Sequence, residues 1–557
     1  MSNLARATLA TLFTAAALAA CGGGGSSTPG TESGSGTPPP PPPPPADFTL
    51  SLSTDKALVI QGHTAQLTAT VTRHAGFDGA VTVTLKDLPA GVSAAPVLIA
   101  QGATSAAVTL SAEASAPHSL PTHAQADGTS GAQTDARVLT VTVGGEPGVV
   151  DTSFNGGKQL VSVAEGEDYA KAMAVQADGK VITVGRTTTN AGGTDIAVTR
   201  HLRDGTLDAS FGNAGMVVTA IAAARGADEA YAVAVQADGK IVVAGSTATT
   251  GTDLDFALVR YNADGSLDAD FGTGGKVVTS FGNSTDRIYA IAIQGDGRIV
   301  VAGESDRGTT TTGIDFALAR YNPDGSLDAG FGTAGKVTTP IRAQSARDSA
   351  YAIVLQTVGG ETRIVAVGGE GDFIAARYTA AGALDNSFGT AGKIAGVFVN
   401  STIGAANAVT LTPDNKLVVA GHIQHDFALA RLNTDGTLDA GFGTAGKVIT
   451  PVTTTNWDEA TAIVRQADGK LLVGGWAYEG NSSSGNFAVL RYSADGALDA
   501  GFGTGGMVVT PVATGTQSDS GRALVLQADE RIPTVRVLQA GEASDGGFKF
   551  GLLRYWL

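Results

Sequence analysis

One short segment occurs seven times in the chain after residue 148. In its second copy the segment is Leu207-Asp-Ala-Ser-Phe211-Gly. A repeat of fixed length is typical of folds that stack copies of one supersecondary unit, because a single unit cannot bury its own apolar face. The sequence therefore predicts a repeat architecture over residues 148–557. Its aspartate recurs at intervals of 54 to 60 residues, at Asp151, Asp208, Asp268, Asp328, Asp385, Asp439 and Asp499.

Each unit contains four short runs in which apolar and polar residues alternate, the pattern of β-strands. In the second unit a Gly-Lys-Val-Val-like strand is followed by runs at Tyr231–Gln236, Ile241–Gly245 and Phe256–Tyr261. The Asp-Gly turn within Ala237–Lys240 predicts a hairpin, because glycine supplies the positive φ that a tight turn needs. Four antiparallel strands repeated seven times predict a seven-bladed β-propeller with one blade per unit.

The two ends of the array favour a closed ring over an open β-solenoid. The array begins in mid-unit at Asp151–Phe154 and ends at Phe550–Tyr555, so its ends complete one unit together. A solenoid would instead need capping units at both ends. The repeated signatures are Asp-Gly-Lys followed by Val-Val-Ala-Gly, and then Arg-Tyr-Asn-x-Asp-Gly-Ser-Leu-Asp-x-x-Phe-Gly. They resemble the bacterial delta-60 repeat. That resemblance implies a β-propeller and no particular reaction.

Residues 47–147 have the Val- and Thr-rich alternation of a β-sandwich, broken by turn signals such as Pro89-Ala-Gly91. They resemble the cysteine-free immunoglobulin-like domains of bacterial surface proteins, notably in Leu88-Pro-Ala-Gly-Val92. Such modules act as spacers or bind ligands. The predicted fold class is therefore all-β, an immunoglobulin-like β-sandwich followed by a seven-bladed β-propeller. The predicted strands of the sandwich are Phe48–Ser53, Ala65–Thr72, Ala80–Leu85, Ala106–Leu110 and Arg137–Val143.

The first 46 residues have the composition of a targeting signal and a linker. The apolar stretch Ala7–Ala20 is shorter than the roughly 20 residues of a membrane-spanning helix and suits a signal peptide over residues 1–20. Its end, Leu18-Ala-Ala-Cys21, resembles the lipobox of bacterial lipoproteins. This implies a lipid anchor on Cys21 and, with Gly22 next, location in the cell envelope at the outer membrane of a diderm bacterium.

Residues 21–46 then form a Gly-, Ser- and Pro-rich linker that cannot bury enough surface to fold. Eight consecutive prolines, Pro38–Pro45, favour a polyproline II rod of about 25 Å. The rod suits a spacer between bilayer and folded domains, and a proline-rich ligand for another domain is the alternative.

Charge and cysteine content exclude several classes of protein. The chain has 36 Lys and Arg against 52 Asp and Glu, a net charge of −16, so we expect no nucleic-acid partner. With one cysteine there is no intramolecular disulfide and no cysteine-cluster metal site.

An arginine occupies the same strand position in every unit. The seven cations could form a ring that binds an anion on the axis. Alternatively, each could make a bidentate bond to the repeated aspartate and hold neighbouring strands together, which we favour because the feature is present in every copy. The seven are Arg200, Arg260, Arg320, Arg377, Arg431, Arg491 and Arg554.

The turns that follow these arginines resemble part of a calcium loop. Asn262, Asp264 and Asp268 have suitable spacing, as do Asn322, Asp324 and Asp328. Arg260, however, stands where the first ligand would be, and a cation there both removes a ligand and repels Ca²⁺. We therefore expect hairpin turns, with no metal or cofactor.

The connections on one face of the ring vary in length, and variable loops on a rigid scaffold commonly carry recognition. On that face Trp457, Trp476 and Tyr478 belong to the sixth unit, and His422 and His425 to the fifth. Aromatic side chains stack on sugar rings and dominate binding hot spots. These five residues are the predicted ligand-binding patch. The alternative is that the indoles cover the ends of their own blades, and a metal held by the two histidines lacks an evident third ligand.

No Gly-x-Ser-x-Gly, His-Glu-x-x-His or P-loop motif is present. The leading hypothesis is a lipid-anchored envelope protein that presents a propeller face to a protein or glycan, in binding or adhesion. One alternative is a polysaccharide hydrolase or lyase, which requires carboxylates of two or more blades at the mouth of the channel. The other is a structural envelope protein without a discrete ligand.

Overall fold

The computed structural model describes residues 48–557 except 75, 190–191, 222–225, 249–252, 283–284, 307–312, 343–346, 399–400, 402, 454–456, 479–483 and 514–517. The predicted signal peptide, Cys21 and the spacer lie outside the described residues. Asp47–Leu557 form one compact unit. Its regular structure consists of strands throughout, and no helix able to span a membrane occurs in the described part of the chain. The predicted all-β fold class, a sandwich followed by a propeller, is confirmed.

A two-sheet sandwich comes first. One sheet has the order β1-β3-β7-β5 and the other the order β2-β9-β8-β4-β6, in which β2 and β9 are parallel. Alternate residues of each strand point into the space between the sheets, as at Phe48, Leu50, Val81 and Val83, all at most 1% exposed. The strands are β1 (Phe48–Leu52), β2 (Lys56–Ile60), β3 (Thr64–Arg73), β4 (Val81–Lys86), β5 (Val92–Ala94), β6 (Val97–Ile99), β7 (Ser105–Ala112), β8 (Thr122–Ser130) and β9 (Gln133–Gly144).

The rest of the chain forms seven four-stranded antiparallel sheets, the blades of the propeller. Blades 1 to 6 each take four consecutive strands beginning with β11. The strands are β10 (Lys158–Val161), β11 (Asp168–Val175), β12 (Val181–Thr188), β13 (Thr194–His201), β14 (Met216–Thr219), β15 (Asp228–Val235), β16 (Ile241–Thr247), β17 (Asp255–Tyr261), β18 (Lys276–Thr279), β19 (Asp286–Ile293), β20 (Ile299–Asp306), β21 (Ile314–Tyr321), β22 (Lys336–Thr339), β23 (Ala350–Val358), β24 (Glu361–Gly368), β25 (Ile374–Tyr378), β26 (Lys393–Ile394), β27 (Gly404–Leu411), β28 (Leu417–Ile423), β29 (Asp426–Leu432), β30 (Lys447–Thr450), β31 (Asp458–Arg465), β32 (Leu471–Tyr478), β33 (Gly485–Tyr492), β34 (Met507–Thr510), β35 (Ser520–Ala528), β36 (Val535–Ser544) and β37 (Phe548–Trp556).

The two ends of the repeat array close the ring in blade 7. The order there is β10-β37-β36-β35, so the first strand of the ring pairs with the last, from Lys158 opposite Leu553 to Val161 opposite Phe550. The closure predicted from the half-units at the two ends is therefore present. The boundaries between blades differ from those of the sequence units by one strand. Each Gly-Lys-Val-Val-like strand is the outermost strand of the preceding blade, because it pairs with the arginine-bearing strand before it.

Adjacent blades pack face to face. Between blades 2 and 3, Phe256 and Leu258 share one apolar cluster with Ile288 and Val301, all fully buried. The middle strands are thus covered on both faces and are continuously apolar, unlike the alternating strands of the sandwich. The phenylalanine of the repeated Leu-Asp-x-x-Phe segment, for example Phe271, is fully buried in the same clusters.

The sandwich contacts the ring through the last tryptophan of the chain. Trp556 is 1% exposed, and its ring meets that of His118 edge-on at a centroid distance of 5.5 Å. Arg536 also lies over the indole, with its guanidinium carbon 4.3 Å from the ring centre. Trp556 therefore fills the junction of sandwich and ring.

Candidate functional site

The seven innermost strands surround a central channel. They are β11, β15, β19, β23, β27, β31 and β35, and each contacts the next around the ring, including β35 with β11. Each contains one β-bulge, a residue that the neighbouring strand does not pair. A bulge changes the direction in which a side chain leaves its strand. Here the bulges place one residue of each blade in the channel. The seven bulge residues are Lys171, Tyr231, Tyr289, Tyr351, Asn407, Thr461 and Arg522.

A repeated glycine makes these bulges possible. Gly245, the glycine of the Val-Val-Ala-Gly motif in blade 2, lies beside the bulge, and a Cβ there would be 1.9 Å from the carbonyl oxygen of Glu229. The equivalent distance is 1.8 or 1.9 Å in all seven blades. Any side chain would therefore displace the bulged strand. The uniform glycine fixes the backbone, while the residue type at the bulge differs between blades.

The bulge residues line a cavity of about 460 Å³. Apolar side chains further along the inner strands, including Met173, Val409, Ile463 and Leu524, form its deeper wall. The bulges lie in the first half of each inner strand, on the side of the variable connections. Its volume and its mixture of apolar and polar walls are those of a small-ligand site.

One side of the cavity is aromatic. Tyr289 contacts Tyr231 at a centroid distance of 5.2 Å and Tyr351 at 5.1 Å, so three rings from blades 2, 3 and 4 form a continuous arc. The Tyr231 hydroxyl donates to Glu229 (2.8 Å) and that of Tyr289 to Glu304 (3.0 Å). Burial raises the pKa of all three phenols, so they are neutral at physiological pH.

The opposite side is polar. Lys171 Nζ lies 3.3 Å and Arg522 Nη2 2.7 Å from the buried carboxylate of Glu542. Asn407 donates its side-chain amide to Glu459 Oε1 at 2.9 Å. Burial, partly offset by Glu542, lowers the pKa of Lys171. Two cations, an amide and a carboxylate thus face the tyrosine arc across the cavity.

Carboxylates of four blades contact the bulge residues: Glu229, Glu304, Glu459 and Glu542. Of these, Glu459 lines the cavity. Glu304 accepts from Ser349 Oγ (2.6 Å) and Arg287 Nη1 (2.8 Å). Burial alone would raise the pKa of Glu304 and of Glu542, but hydrogen bonds and cations outweigh it and lower both values. These two groups are held ionised by their partners.

The predicted aromatic patch lies on blades 5 and 6 and forms two ring pairs. Trp457 is 42% exposed and contacts the His425 ring at 4.0 Å, and Trp476 contacts Tyr478 at 5.4 Å. His422 Nδ1 is 3.7 Å from Glu459 Oε1, which connects the patch to the cavity.

Three polar atoms of this patch are buried without a hydrogen-bond partner among the described residues. They are Trp476 Nε1, His422 Nδ1 and His425 Nδ1. Burial lowers the pKa of His422, so its ring is neutral at pH 7. Buried polar atoms without a partner are uncommon in folded proteins.

The repeated arginines bond to the repeated aspartates, but with a geometry other than the predicted fork. In blade 2 only Nε of Arg260 bonds to Asp268 Oδ2 (2.6 Å), while Nη1 donates to the Pro323 carbonyl of the next blade. The guanidinium also covers the ring of Phe271, 4.4 Å away. Six of the arginines are shared in this way among a carboxylate, a ring and the neighbouring blade, and Arg491 bonds instead to the Gly501 carbonyl of its own blade. The seven Nε–Oδ2 distances are 2.6–2.9 Å.

A second cation, which the sequence analysis did not pair, holds the same aspartates. Lys240 of the Asp-Gly-Lys turn lies 2.9 Å from Asp268 Oδ2. A lysine or arginine does so in every blade, at 2.8–3.1 Å. The recurrence of Asp-Gly-Lys at a fixed distance from Leu-Asp-x-x-Phe was the available sequence signal. The ring thus contains seven two-cation, one-carboxylate triads.

We expect stability to be highest between pH 4 and 5 and to fall below pH 4. Lys416 and Arg431 lower the pKa of Asp439 to about 2, so its stabilising effect is complete above the unfolded value of about 4 and is lost as pH falls toward 2. Burial raises the pKa of Asp286 to about 6, so its effect is complete below about 4 and is lost as pH rises through 6. Calorimetric Tm values from pH 2 to 8 measure the loss of stability at acidic pH and the loss above pH 5.

Asp286→Asn is the control variant, and it should abolish the rise in Tm between pH 7 and 5 while keeping the fall below 4. A Tm that stays constant down to pH 2 would contradict the role given to the triads.

The calcium-like turns use their oxygens internally. Asp264 Oδ1 accepts from the Ser266 amide (2.9 Å) and hydroxyl (2.6 Å), and Asp268 faces Arg260 and Lys240. The turn containing Asn322, Asp324 and Asp328 repeats this pattern. Within the described ranges, no group of three or more His, Cys, Asp or Glu side chains is placed to hold a metal ion.

No curated protein matches the sequence. Solved structures with some likeness include bovine butyrophilin (10% identity, 43% of this chain, 100% of that chain, TM-score 0.15). A DUF4784 family protein from Bacteroides caccae has 10% identity over 87% of this chain and 98% of its own, with a TM-score of 0.24. The ICAM-5 D1–D4 fragment has 11% identity over 92% and 99%, with a TM-score of 0.15.

A family of β-propeller domains of unknown function (DUF5122) matches six stretches, which run from the inner hairpin turn of a blade to the phenylalanine of Leu-Asp-x-x-Phe. Blade 7, which combines the first strand of the ring with the last three, is not among them. The matched stretches are 176–211, 236–271, 294–331, 357–388, 412–442 and 466–502. The six stretches are therefore similar to this β-propeller family, in agreement with the closed ring of blades.

Proposed function

We propose that this protein binds a glycan at the mouth of its propeller channel. The observation that carries the proposal is the composition of the seven bulge positions. Their backbone is uniform, yet three adjacent blades supply a tyrosine arc and the others supply Lys171, Asn407, Thr461 and Arg522. A site that differs between otherwise similar blades is what recognition of an asymmetric ligand requires.

The two sides of the cavity match the two kinds of surface on a sugar. The C–H face of a pyranose packs against aromatic rings, as the arc of Tyr231, Tyr289 and Tyr351 provides. Hydroxyl and carboxylate groups bond to amide and cationic side chains, as Asn407 and Arg522 provide. The patch on blades 5 and 6 would extend the contact to further sugar units. A protein ligand at the same face is the alternative. The exposed Trp457 ring would contact a glycan or a protein ligand equally well.

Two of the four carboxylates, Glu304 and Glu542, favour binding over hydrolysis. A glycosidase needs one carboxyl group with a raised pKa to protonate the leaving oxygen, beside a second carboxylate. Glu304 and Glu542 instead have lowered pKa values, and each is bonded to cations. Ionised, cation-bound carboxylates position neighbouring side chains rather than donate protons.

A screen of residues 47–557 against arrayed neutral and acidic glycans tests the proposal. We expect a restricted set of glycans to bind, and free oligosaccharide of that set to compete. Absence of any bound glycan would contradict the glycan proposal. A protein captured instead from an extracellular extract would support the protein ligand, and failure of both screens would leave the structural role.

We further propose that the protein acts at the cell envelope, anchored by lipid on Cys21 and held away from the bilayer by the spacer and the sandwich. Cys21→Ser should move the protein from the membrane fraction to the soluble fraction, because no acyl chain can then be attached. Fractionation and immunoblotting of both proteins measure this. Retention of the variant in membranes would contradict the anchor.

A further inference from the structure

A second cavity lies at the seam where the ring closes. Its volume is about 170 Å³, and it lies among the turn of blade 1 at Leu202–Asp204, the turn of blade 7 at Asp529–Arg531, and Leu120 of the sandwich. These turns are at the opposite ends of the strands from the channel mouth, so the cavity is separate from the glycan site. We propose that it binds a small tetrahedral oxyanion of the phosphate or sulfate class.

Four guanidinium groups line this cavity, those of Arg203, Arg531, Arg536 and Arg554. Asp529 is bonded by Arg531 through two nitrogens (2.8 and 2.9 Å) and by Arg203 Nη1 (3.1 Å). The other lining carboxylate, Asp204, accepts from the amide and hydroxyl of its own turn at Thr206.

Arg536 and Arg554 share a single carboxylate behind the cavity. Nε of each lies 2.8 Å from the same oxygen, Asp151 Oδ2. The cavity lining itself thus holds four guanidinium groups and two carboxylates, with Asp151 behind it and the exposed Glu530 in the turn of Arg531.

One of these groups has an unused donor. Arg536 is 2% exposed, and its Nη2 is buried without a hydrogen-bond partner among the described residues. A buried charged donor without a partner is costly unless a ligand or ion completes it. Burial, with a contribution from the neighbouring Arg536 charge, lowers the pKa of Arg554 to about 10. An anion in the cavity would relieve both effects.

The arrangement belongs to the seam. In blade 2 the residue at the position of Arg203 is Ala263, whose carbonyl accepts from Arg200 just as the Arg203 carbonyl accepts from Arg554. Arg531 lies in a turn that replaces the short Asp-Gly-Lys turn of blade 2. The cations thus come from both sides of the closure, so a bound oxyanion would link blade 1 to blade 7.

The ligand class follows from size and charge. A water molecule in the liquid occupies about 30 Å³, so the cavity holds roughly six water volumes, enough for one tetrahedral oxyanion and its hydration. Planar guanidinium forks suit phosphate and sulfate oxygens. The group could come from solution or from a sulfated or phosphorylated polymer.

Isothermal titration of the protein with inorganic phosphate and with sulfate tests the site, at constant ionic strength set with chloride. We expect one site per chain and a higher Tm in either anion than in chloride. Dextran sulfate serves as the test ligand for a polymer that carries sulfate groups. Competition of dextran sulfate with sulfate would assign the site to a polymer-borne group, and its failure to compete would assign it to the free ion.

Arg531→Gln and Arg203→Gln are separate test variants, because each leaves Asp529 with one arginine. Each should weaken oxyanion binding about tenfold or more. Arg298→Gln is the matched control, since Arg298 pairs with Asp328 in blade 3 as Arg536 pairs with Asp151. Its oxyanion affinity should be unchanged.

Absence of binding heat and of a Tm shift would overturn the proposal. Equal weakening in the control variant would also overturn it, because the anion would then be reporting general surface charge.

Discussion

Asp151→Ala is expected to lower the free energy of unfolding by about 3–5 kcal/mol. Asp151 is fully buried and is the shared carboxylate of Arg554 and Arg536, which are each 2% exposed. Its removal leaves two buried cations without their carboxylate, at the junction between the first and last residues of the ring. Chemical denaturation followed by tryptophan fluorescence measures the loss.

Asp499→Ala is the matched control. Asp499 holds Arg491 and Lys470 in the same geometry, but its side chain is 18% exposed and that of Lys470 is 37% exposed. Water can solvate Lys470, whereas the Arg491 side chain is 6% exposed, so one buried cation rather than two loses its carboxylate and the loss should be smaller. Equal losses in the two variants would mean that burial of the Asp151 triad does not increase its contribution to the free energy of unfolding.

The double variant Tyr289→Ala with Tyr351→Ala is expected to weaken glycan binding about tenfold or more. Both rings belong to the arc that forms one side of the channel cavity. Aromatic contacts are worth about 0.5–1.5 kcal/mol each, and 1.4 kcal/mol corresponds to a factor of ten in Kd. Calorimetric titration with a glycan from the array measures the change.

The control for this pair is Tyr289→Phe with Tyr351→Phe, which retains the rings and removes the hydroxyl groups. It should bind within a few fold of the original protein if stacking carries the affinity. Unchanged binding by the alanine variant would place the ligand elsewhere on the ring. Equal losses in both variants would assign the effect to the hydroxyl groups and to Glu304, which accepts from Tyr289.

Much of the scaffold could be predicted because its determinants are local and repeated. Alternation identified the strands, Asp-Gly identified the inner turns, and the half-units at Asp151 and Tyr555 identified the closure. Pairing Arg260 with Asp268 required only that a cation and a carboxylate recur together. The blade boundary was misplaced by one strand because strand pairing, not repeat spacing, determines which sheet receives Lys276–Thr279.

The predicted ligand patch was chosen for rare residue types in variable loops. That criterion selected Trp457 and Trp476 but missed the channel residues, since tyrosine, asparagine and threonine are unremarkable within a strand. The positions of Tyr231, Asn407 and Arg522 could have been noticed as the one variable place between small residues in otherwise similar inner strands. Nothing in one strand, however, shows that this residue is bulged.

The sequence by itself determined the number of blades, their strands and the pairing of repeated charges, because each depends on residues that recur at fixed spacing. Tertiary structure alone decided which side chains meet in the channel and at the seam. The bulge at Tyr289 depends on the fit of its strand against Gly303, and the cavity depends on seven strands from distant parts of the chain. The seam cavity likewise joins Arg203 to Arg531 only because the ring closes.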